Sequence, residues 1–195
     1  MIAREMKGCR LPALDGCGSA FECRDEVVRL LNEVYGYRQF RELEIYKDLF
    51  VGKDKVVLSQ GQLIEHVIRE AEKAESGQES PENVLLTAPT GSGKSLLFQL
   101  PAIYLGQAYG LLTLIVGALK ALIVDQVESL QELGYDRVAY ASSDLSPEQK
   151  AEVYRRVREG EVDLFYLSPE LLLSYDIRYF VGGRHIGLVV IDEAH

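Results

Sequence analysis

Apolar side chains recur at steps of three and four residues in the N-terminal third of the chain, a spacing typical of amphipathic helices. The pattern runs from Phe21 to Gly36 and returns over residues 40–50. A third stretch has apolar residues along one face: Leu63, Ile64, Val67, Ile68 and Ala71. We therefore expect three helices before segment 76–82, which is polar, contains Gly and Pro and is typical of a loop.

From residue 83 onwards, short apolar runs alternate with helical stretches. The runs predict strands over residues 83–88, 111–117, 137–141, 163–167 and 187–191. Helices are predicted over residues 94–107, 119–133 and 147–159, the last capped by Ser146. Such alternation is typical of a parallel sheet, and unbroken apolar runs fit strands buried on both faces. The predicted fold class is α/β, with a parallel sheet flanked by helices and preceded by a helical N-terminal extension.

Composition and charge narrow the class of protein. The 195 residues are 47% apolar and 26% charged, as in ordinary globular chains. The longest apolar run, residues 110–119, is about half of what a membrane span needs, and the N-terminus lacks the apolar core of a signal peptide. We expect an intracellular protein without a membrane partner. The net charge of −9 makes a nucleic-acid binder less obvious, although a local groove can still bind DNA.

Residues 1–20 show no periodicity and form an irregular lead-in that contains Gly and Cys. Cys9, Cys17 and Cys23 make an odd number, which excludes a complete set of internal disulfides. Their spacings fit no common zinc site. Two interpretations stay open, namely reduced thiols of an intracellular protein or part of a metal site.

Candidate chemistry begins with a glycine-rich segment between a predicted strand and a predicted helix. It has the P-loop spacing, with Ala88 in place of the usual first glycine. The two glycines allow consecutive N–H groups to point at phosphate oxygens. Lys94 can then reach the β- and γ-phosphates, and the Ser95 hydroxyl can bind Mg²⁺. The segment predicts a site for ATP and Mg²⁺ formed by Ala88, Pro89, Thr90, Gly91, Ser92, Gly93, Lys94 and Ser95.

Two acidic residues follow the last predicted strand. Asp192 comes directly after the apolar run 188–191, at the edge of a parallel sheet where nucleotides bind. We expect Asp192 to hold Mg²⁺ and Glu193 to orient and deprotonate an attacking water. An acidic pair after a strand is often a solvated terminus, but its position about 100 residues after a phosphate loop favours the catalytic interpretation.

The phosphate loop and the tetrapeptide Asp192-Glu-Ala-His195 resemble motifs I and II of the superfamily 2 helicases in their DEAH form. Segments that are less specific than these two motifs resemble the RecQ-like DNA helicases: Tyr35-Gly-Tyr-Arg-Gln-Phe-Arg41, the motif Ia segment 113–127, and segments 142–149 and 163–172. The resemblance covers residues 35–195. It implies a RecA-like ATP-binding domain and 3′-to-5′ unwinding of DNA.

The resemblance also implies nucleic-acid contacts after two strands. The family has Ser-Pro where this chain has Gly117 and Ala118, so backbone N–H groups would replace a hydroxyl there, with Lys120 nearby. Ser168 and Glu170 are the matching candidates in the later segment. Both could instead cap and favour the start of a short helix.

A glutamine that recognises the adenine edge is a further implication of the resemblance. Glu44 stands at the expected position, and Gln60 or Gln62 at the start of the third helix could serve instead. We take Gln62 as the candidate. A solvated helix N-terminus is the alternative role for either glutamine.

The implied organisation is a lead-in over 1–20, an extension over 21–82 and a first RecA-like domain over 83–195. A second RecA-like domain and its arginine finger are expected downstream of His195. In the family, a strand after motif II separates the P-loop strand from the motif II strand. We therefore expect an incomplete sheet, and slow hydrolysis by residues 1–195 alone.

Three functions follow as hypotheses. The first is an ATP-dependent, RecQ-like DNA helicase. The second is a DEAH-type translocase or remodeller, as in restriction or defence systems, that hydrolyses ATP without separating strands. The third is a non-catalytic nucleotide-binding module.

Overall fold

A computed structural model describes residues 23–46, 55–77, 80–86 and 91–192. They divide into two compact units. Unit one holds the described residues up to Leu31 together with those of Tyr37–Pro101, and unit two holds Asn32–Gly36 and residues 102–192. None of the helices in these described ranges is long and apolar enough to cross a membrane.

Unit one is built around two helices and a hairpin. Its elements are most of α1 (Asp25–Tyr35), β1 (Glu42–Tyr46), β2 (Lys55–Ser59), α2 (Gln60–Ser76) and the start of α3 (Leu96–Tyr109). The predicted first and third helices are thus confirmed.

The helix predicted over residues 40–50 is wrong in its described part. Strand β1 pairs antiparallel with β2, from Glu42 opposite Ser59 to Tyr46 opposite Lys55. Polar and apolar residues alternate at the start of β1, where Leu43 is buried and Glu44 exposed. A period of two suits a strand, but the main-chain partner that decides the matter lies outside the segment itself.

Charged side chains join the two helices of unit one. Arg24, just before α1, donates hydrogen bonds to Glu65 and Glu72 on α2, at 2.8 Å and 2.6 Å. Burial raises the pKa of Glu65, but the hydrogen bonds from Arg24 and Arg69 leave it below its ordinary value. The carboxylate is therefore ionised and held between two guanidinium groups.

The strand predicted over residues 83–88 is also wrong where the structure describes it. Residues 83–86 have no regular secondary structure, and residues 87 and 88 lie outside the described ranges. Val84 and Leu85 are exposed rather than buried. An apolar run becomes a strand only beside a pairing partner, and none of the described strands pairs with this segment.

Unit two contains a four-stranded parallel sheet in the order β4-β5-β3-β6. Its strands are β3 (Leu112–Gly117), β4 (Val138–Ala141), β5 (Leu164–Leu167) and β6 (Ile186–Asp192). The helices between them are α4 (Lys120–Glu132), α5 (Pro147–Arg158), α6 (Pro169–Ser174) and α7 (Ile177–Val181). The α/β class and the parallel sheet are confirmed. Helix α7 is a short element that the apolar pattern did not predict.

Burial within the sheet follows the strand order. Every residue of β3 and β5, the two central strands, is buried. In β6, at the end of the described sheet, Val189 and Ile191 are 56% and 68% exposed. The unbroken apolar run of β6 is therefore only partly covered.

The amino edge of the sheet is closed by a buried carboxylate. Asp163, just before β5, has no exposed surface and accepts hydrogen bonds from the Tyr135 hydroxyl at 2.7 Å and from Arg137 at 2.7 Å and 2.8 Å. Gly106 on α3 packs so closely against it that an added Cβ would lie 2.4 Å from Asp163 Cγ. Burial raises the pKa of Tyr135, so its hydroxyl stays a donor.

Candidate functional site

The described part of the phosphate loop, residues 91–95, turns directly into α3. Gly91 and Gly93 have φ angles of +80° and +79°, in the left-handed region that side chains other than glycine rarely adopt. The N–H of Leu96 donates to the Gly93 carbonyl at 3.2 Å as the helix begins. Ala88, Pro89 and Thr90 lie outside the described residues.

A buried glutamine supports this loop. Gln60 is 2% exposed; its Oε1 accepts from the Arg41 N–H at 3.1 Å and its Nε2 donates to the Ser92 carbonyl at 3.3 Å. A Cβ on Gly93 would lie 2.8 Å from the same Nε2. Gln60 therefore holds the backbone of the loop at Ser92, and position 93 accommodates glycine because a Cβ there would clash with the Gln60 amide.

The neighbouring Gln62 has a different local role. Its Oε1 accepts from the Ser59 N–H at 2.9 Å and completes a capping box at the start of α2. Its assignment to adenine stays a prediction. The signal that separates the two glutamines is the burial of Gln60, which sequence spacing did not reveal.

The loop residues fit a phosphate group. The Ser92 hydroxyl is buried and has no hydrogen-bond partner among the described residues, an arrangement that is costly unless a ligand satisfies it. The two left-handed glycines and the first turn of α3 supply backbone of the kind that binds anions. Lys94 and Ser95 stand between them and α3, where an ammonium and a hydroxyl suit a magnesium-bound nucleotide.

In unit two, three of the predicted segments lie at the carboxyl edge of the sheet. Gly117 at the end of β3 lies directly opposite Asp192 at the end of β6. On its other side, Val116 pairs with Leu167, so that Ser168 follows at the same edge. Residues about 25 to 75 positions apart in the sequence thus meet at one set of strand ends.

A hydrogen-bonded chain holds the Asp192 carboxylate. Gln126 on α4 donates from Nε2 to Asp192 Oδ2 at 3.2 Å, and its Oε1 accepts from the Tyr166 hydroxyl at 3.1 Å. Tyr166 is 1% exposed. The three side chains share a small cleft with residues of β3, of α4 and of the connection between them: Ile115, Gly117, Ala118, Leu119, Leu122 and Ile123.

Sequence reasoning missed the roles of Gln126 and Tyr166. A signal existed, because Gln126 lies three residues after Ile123 and four before Leu130, on the apolar stripe of α4. A polar residue in such a stripe needs a partner, and Asp192 and Tyr166 supply it.

Two of the side chains predicted to contact nucleic acid, those of Lys120 and Ser168, have partners within the protein. Lys120 forms an ion pair with Asp144. The Ser168 hydroxyl accepts from the Leu171 N–H at 3.3 Å and caps α6, with Glu170 in its first turn. The cap is the alternative that the sequence left open, and contact with nucleic acid stays a prediction.

Several sequence-based expectations fall outside the described residues, namely those for Glu193, Cys9 and Cys17. Cys23 is a partly buried free thiol, and burial raises its pKa to about 12, so it is protonated at neutral pH. Within the described ranges, no group of three or more His, Cys, Asp or Glu side chains is arranged to hold a metal ion.

Comparison with known proteins gives a consistent result. Residues 58–195 match the family described as DEAD/DEAH box helicase. The chain is 34% identical over 176 residues to an ATP-dependent DNA helicase Q-like 5 of Arabidopsis thaliana, covering 89% of this chain and 16% of that protein. It is 36% identical over 132 residues to an ATP-dependent DNA helicase RecQ of Bacillus subtilis, covering 64% and 22%. The RecQ protein of Synechocystis is 40% identical over 113 residues, covering 57% and 23%. The chain thus spans about a fifth of the length of these relatives.

Proposed function

The chain belongs to the DEAD/DEAH box helicase family, and we propose that it supplies the ATP-binding part of a RecQ-like DNA helicase. In this proposal, ATP hydrolysis drives translocation along DNA and separation of its strands. The observation that carries it is the register of β3 and β6, in which Gly117 is directly opposite Asp192. One sheet edge then serves a DNA phosphate at the end of β3 and a metal ion at the end of β6.

In this proposal, the phosphate-loop residues and the acidic residues at and after the carboxyl end of β6 have separate roles in binding and hydrolysing ATP. Lys94 neutralises the β- and γ-phosphates, and Ser95 and Asp192 hold Mg²⁺. When bound, Mg²⁺ supplies positive charge that withdraws electrons from the phosphate oxygens. Glu193 orients the attacking water and accepts its proton.

Nucleic acid binds beside this site in the proposal. Backbone N–H groups of Gly117 and Ala118 donate to a phosphate, and Lys120 exchanges its exposed partner Asp144 for that phosphate. Breaking the Lys120–Asp144 pair costs little free energy because exposed ion pairs contribute little to stability.

The proposed helicase also has a second RecA-like domain. It contributes the positively charged side chain that phosphoryl transfer needs. A further strand pairs with the outer edge of β6, which none of the described strands covers.

The first test separates binding from hydrolysis in the full-length protein. Lys94→Ala should abolish ATP turnover, whereas Glu193→Gln should keep ATP binding and stop hydrolysis. DNA-stimulated phosphate release and binding of a fluorescent ATP analogue are the measurements. Normal hydrolysis by Glu193→Gln would show that the assigned base is wrong.

The second test separates a helicase from a translocase. A forked DNA duplex and a single strand carrying a displaceable protein are given to the same preparation with ATP. Displacement of the protein without separation of the fork would favour the translocase hypothesis. ATP binding without DNA-stimulated turnover would favour the non-catalytic module.

A further inference from the structure

The Asp192 carboxylate does not stand alone at the end of β6. It is a partly exposed group, and Gln126 donates to one of its oxygens, Oδ2, at 3.2 Å. The opposite end of the same amide is held by the Tyr166 hydroxyl at 3.1 Å. Since Tyr166 is almost fully buried in β5 and Gln126 lies on α4, two separate elements fix the carboxylate.

The direction of these bonds fixes the orientation of the amide. A tyrosine hydroxyl that donates to Oε1 turns the NH₂ group of Gln126 towards Asp192. The NH₂ group thus holds the carboxylate through Oδ2. A carboxylate whose rotation is already restricted by a fixed donor loses less rotational freedom when it binds a cation.

We propose that Gln126, oriented by Tyr166, is a positioning residue that holds the Asp192 carboxylate for Mg²⁺. The inference rests on the proposed role of Asp192 and extends it to two residues outside the phosphate loop and the acidic tetrapeptide. It also ties the metal carboxylate to α4, the helix whose first residues follow Gly117 and Ala118.

The test measures the Mg²⁺ dependence of nucleotide binding rather than turnover. A fluorescent ATP analogue is titrated into the full-length protein in EDTA and in MgCl₂, and the ratio of the two dissociation constants gives the gain from Mg²⁺. Gln126→Leu should reduce this gain about 10-fold, as loss of a group supporting a metal ligand typically does, and leave the affinity in EDTA unchanged. Tyr166→Phe should reduce it by a smaller factor.

Three controls make the result specific. Gln131→Leu removes an exposed glutamine from the same helix and should change nothing. Gln126→Glu keeps the length of the side chain and the acceptor for Tyr166, but lacks the donor to Asp192, so it should not restore the gain. In an Asp192→Asn background, Gln126→Leu should have no further effect, because it acts through that carboxylate.

The outcomes separate this inference from the proposed function. If the unaltered protein shows no Mg²⁺ gain, or Asp192→Asn preserves it, the proposed metal role of Asp192 is wrong. If that role holds and Gln126→Leu keeps the full gain, the positioning role is wrong. An equal loss in EDTA and in MgCl₂, or an additive loss in the double variant, would assign Gln126 to the support of the fold and also contradict the proposal.

Discussion

The two edges of the parallel sheet hold their aspartates in different ways. At the amino edge, Asp163 has no exposed surface and accepts three short hydrogen bonds from Tyr135 and Arg137. At the carboxyl edge, Asp192 is partly exposed and accepts a longer bond from the neutral amide of Gln126. The Asp163 carboxylate is thus fully buried among a phenol and a guanidinium, whereas the Asp192 carboxylate is partly exposed to solvent.

The difference shows how one sheet separates stability from chemistry. A buried carboxylate that is saturated by a phenol and a guanidinium has no oxygen free for a ligand, and removing its charge leaves donors unsatisfied. A partly exposed carboxylate that accepts from a neutral amide can still be reached by a cation. Substitutions at the amino edge should therefore change stability, and those at the carboxyl edge should change binding.

The largest expected effect is that of Asp163→Asn. The variant keeps the size of the side chain but replaces one carboxylate oxygen with an NH₂ group, which cannot accept the hydrogen bonds that Tyr135 or Arg137 donates there. We therefore expect a loss of about 3 kcal/mol in the free energy of unfolding. Urea unfolding followed by circular dichroism measures it. Asp144→Asn, which alters an exposed carboxylate, is the control and should unfold nearly as the unaltered protein does. Similar midpoints for the two variants would contradict the comparison.

Gly106→Ala should have the next largest effect. Alanine is usually more favourable than glycine inside a helix by about 1 kcal/mol. Here the new Cβ would lie 2.4 Å from Asp163 Cγ, so we expect destabilisation by about 2 kcal/mol instead. The sign of the change in thermal midpoint decides the question, because a rise would mean that Asp163 is not tightly confined.

Arg184→Met should have an intermediate effect at the amino edge. Arg184 precedes β6 and donates to the carbonyls of Val162 and of Gly110, the second at 2.8 Å. Losing a charged donor to these backbone carbonyls costs about 1.5 kcal/mol. Arg178→Met removes an exposed guanidinium and serves as the control in the same unfolding experiment. Equal effects of the two substitutions would show that the hydrogen bonds of Arg184 do not stabilise the amino edge of the sheet.

The smallest effect on stability is expected for Lys120→Ala at the carboxyl edge. Its exposed pair with Asp144 contributes less than about 1 kcal/mol. Affinity of the full-length protein for single-stranded DNA should nevertheless fall, with a shallower dependence on salt, since one phosphate contact is lost. An unchanged salt dependence, measured by fluorescence anisotropy, would place the DNA contact elsewhere.

Periodicity predicted most elements of unit two correctly because they bury unbroken apolar runs or clear apolar stripes. Strands β3 to β6 and helices α4 and α5 are within about two residues of their predicted bounds. The hairpin β1–β2 was missed because a short segment with mixed spacing suits either a helix or a strand. Segment 83–86 was mistaken for a strand because apolar character does not supply a pairing partner.

The candidate site divides in the same way. The spacing of Gly91, Gly93, Lys94 and Ser95 predicted a phosphate loop, because left-handed glycines and a helix start are local requirements. Gln60 and Gln126 could not be assigned with the same certainty. Their partners are 32 and 66 residues away along the chain, and only folding brings them within hydrogen-bond distance.

The sequence by itself determined the α/β class, the phosphate loop, the acidic strand end and membership in a helicase family, because each depends on the order and spacing of nearby residues. Only the tertiary structure decided the strand order, which sets Gly117 beside Asp192, and the hydrogen bonds that orient that carboxylate. Strand order and side-chain partners depend on packing between distant segments, and no local pattern encodes that packing.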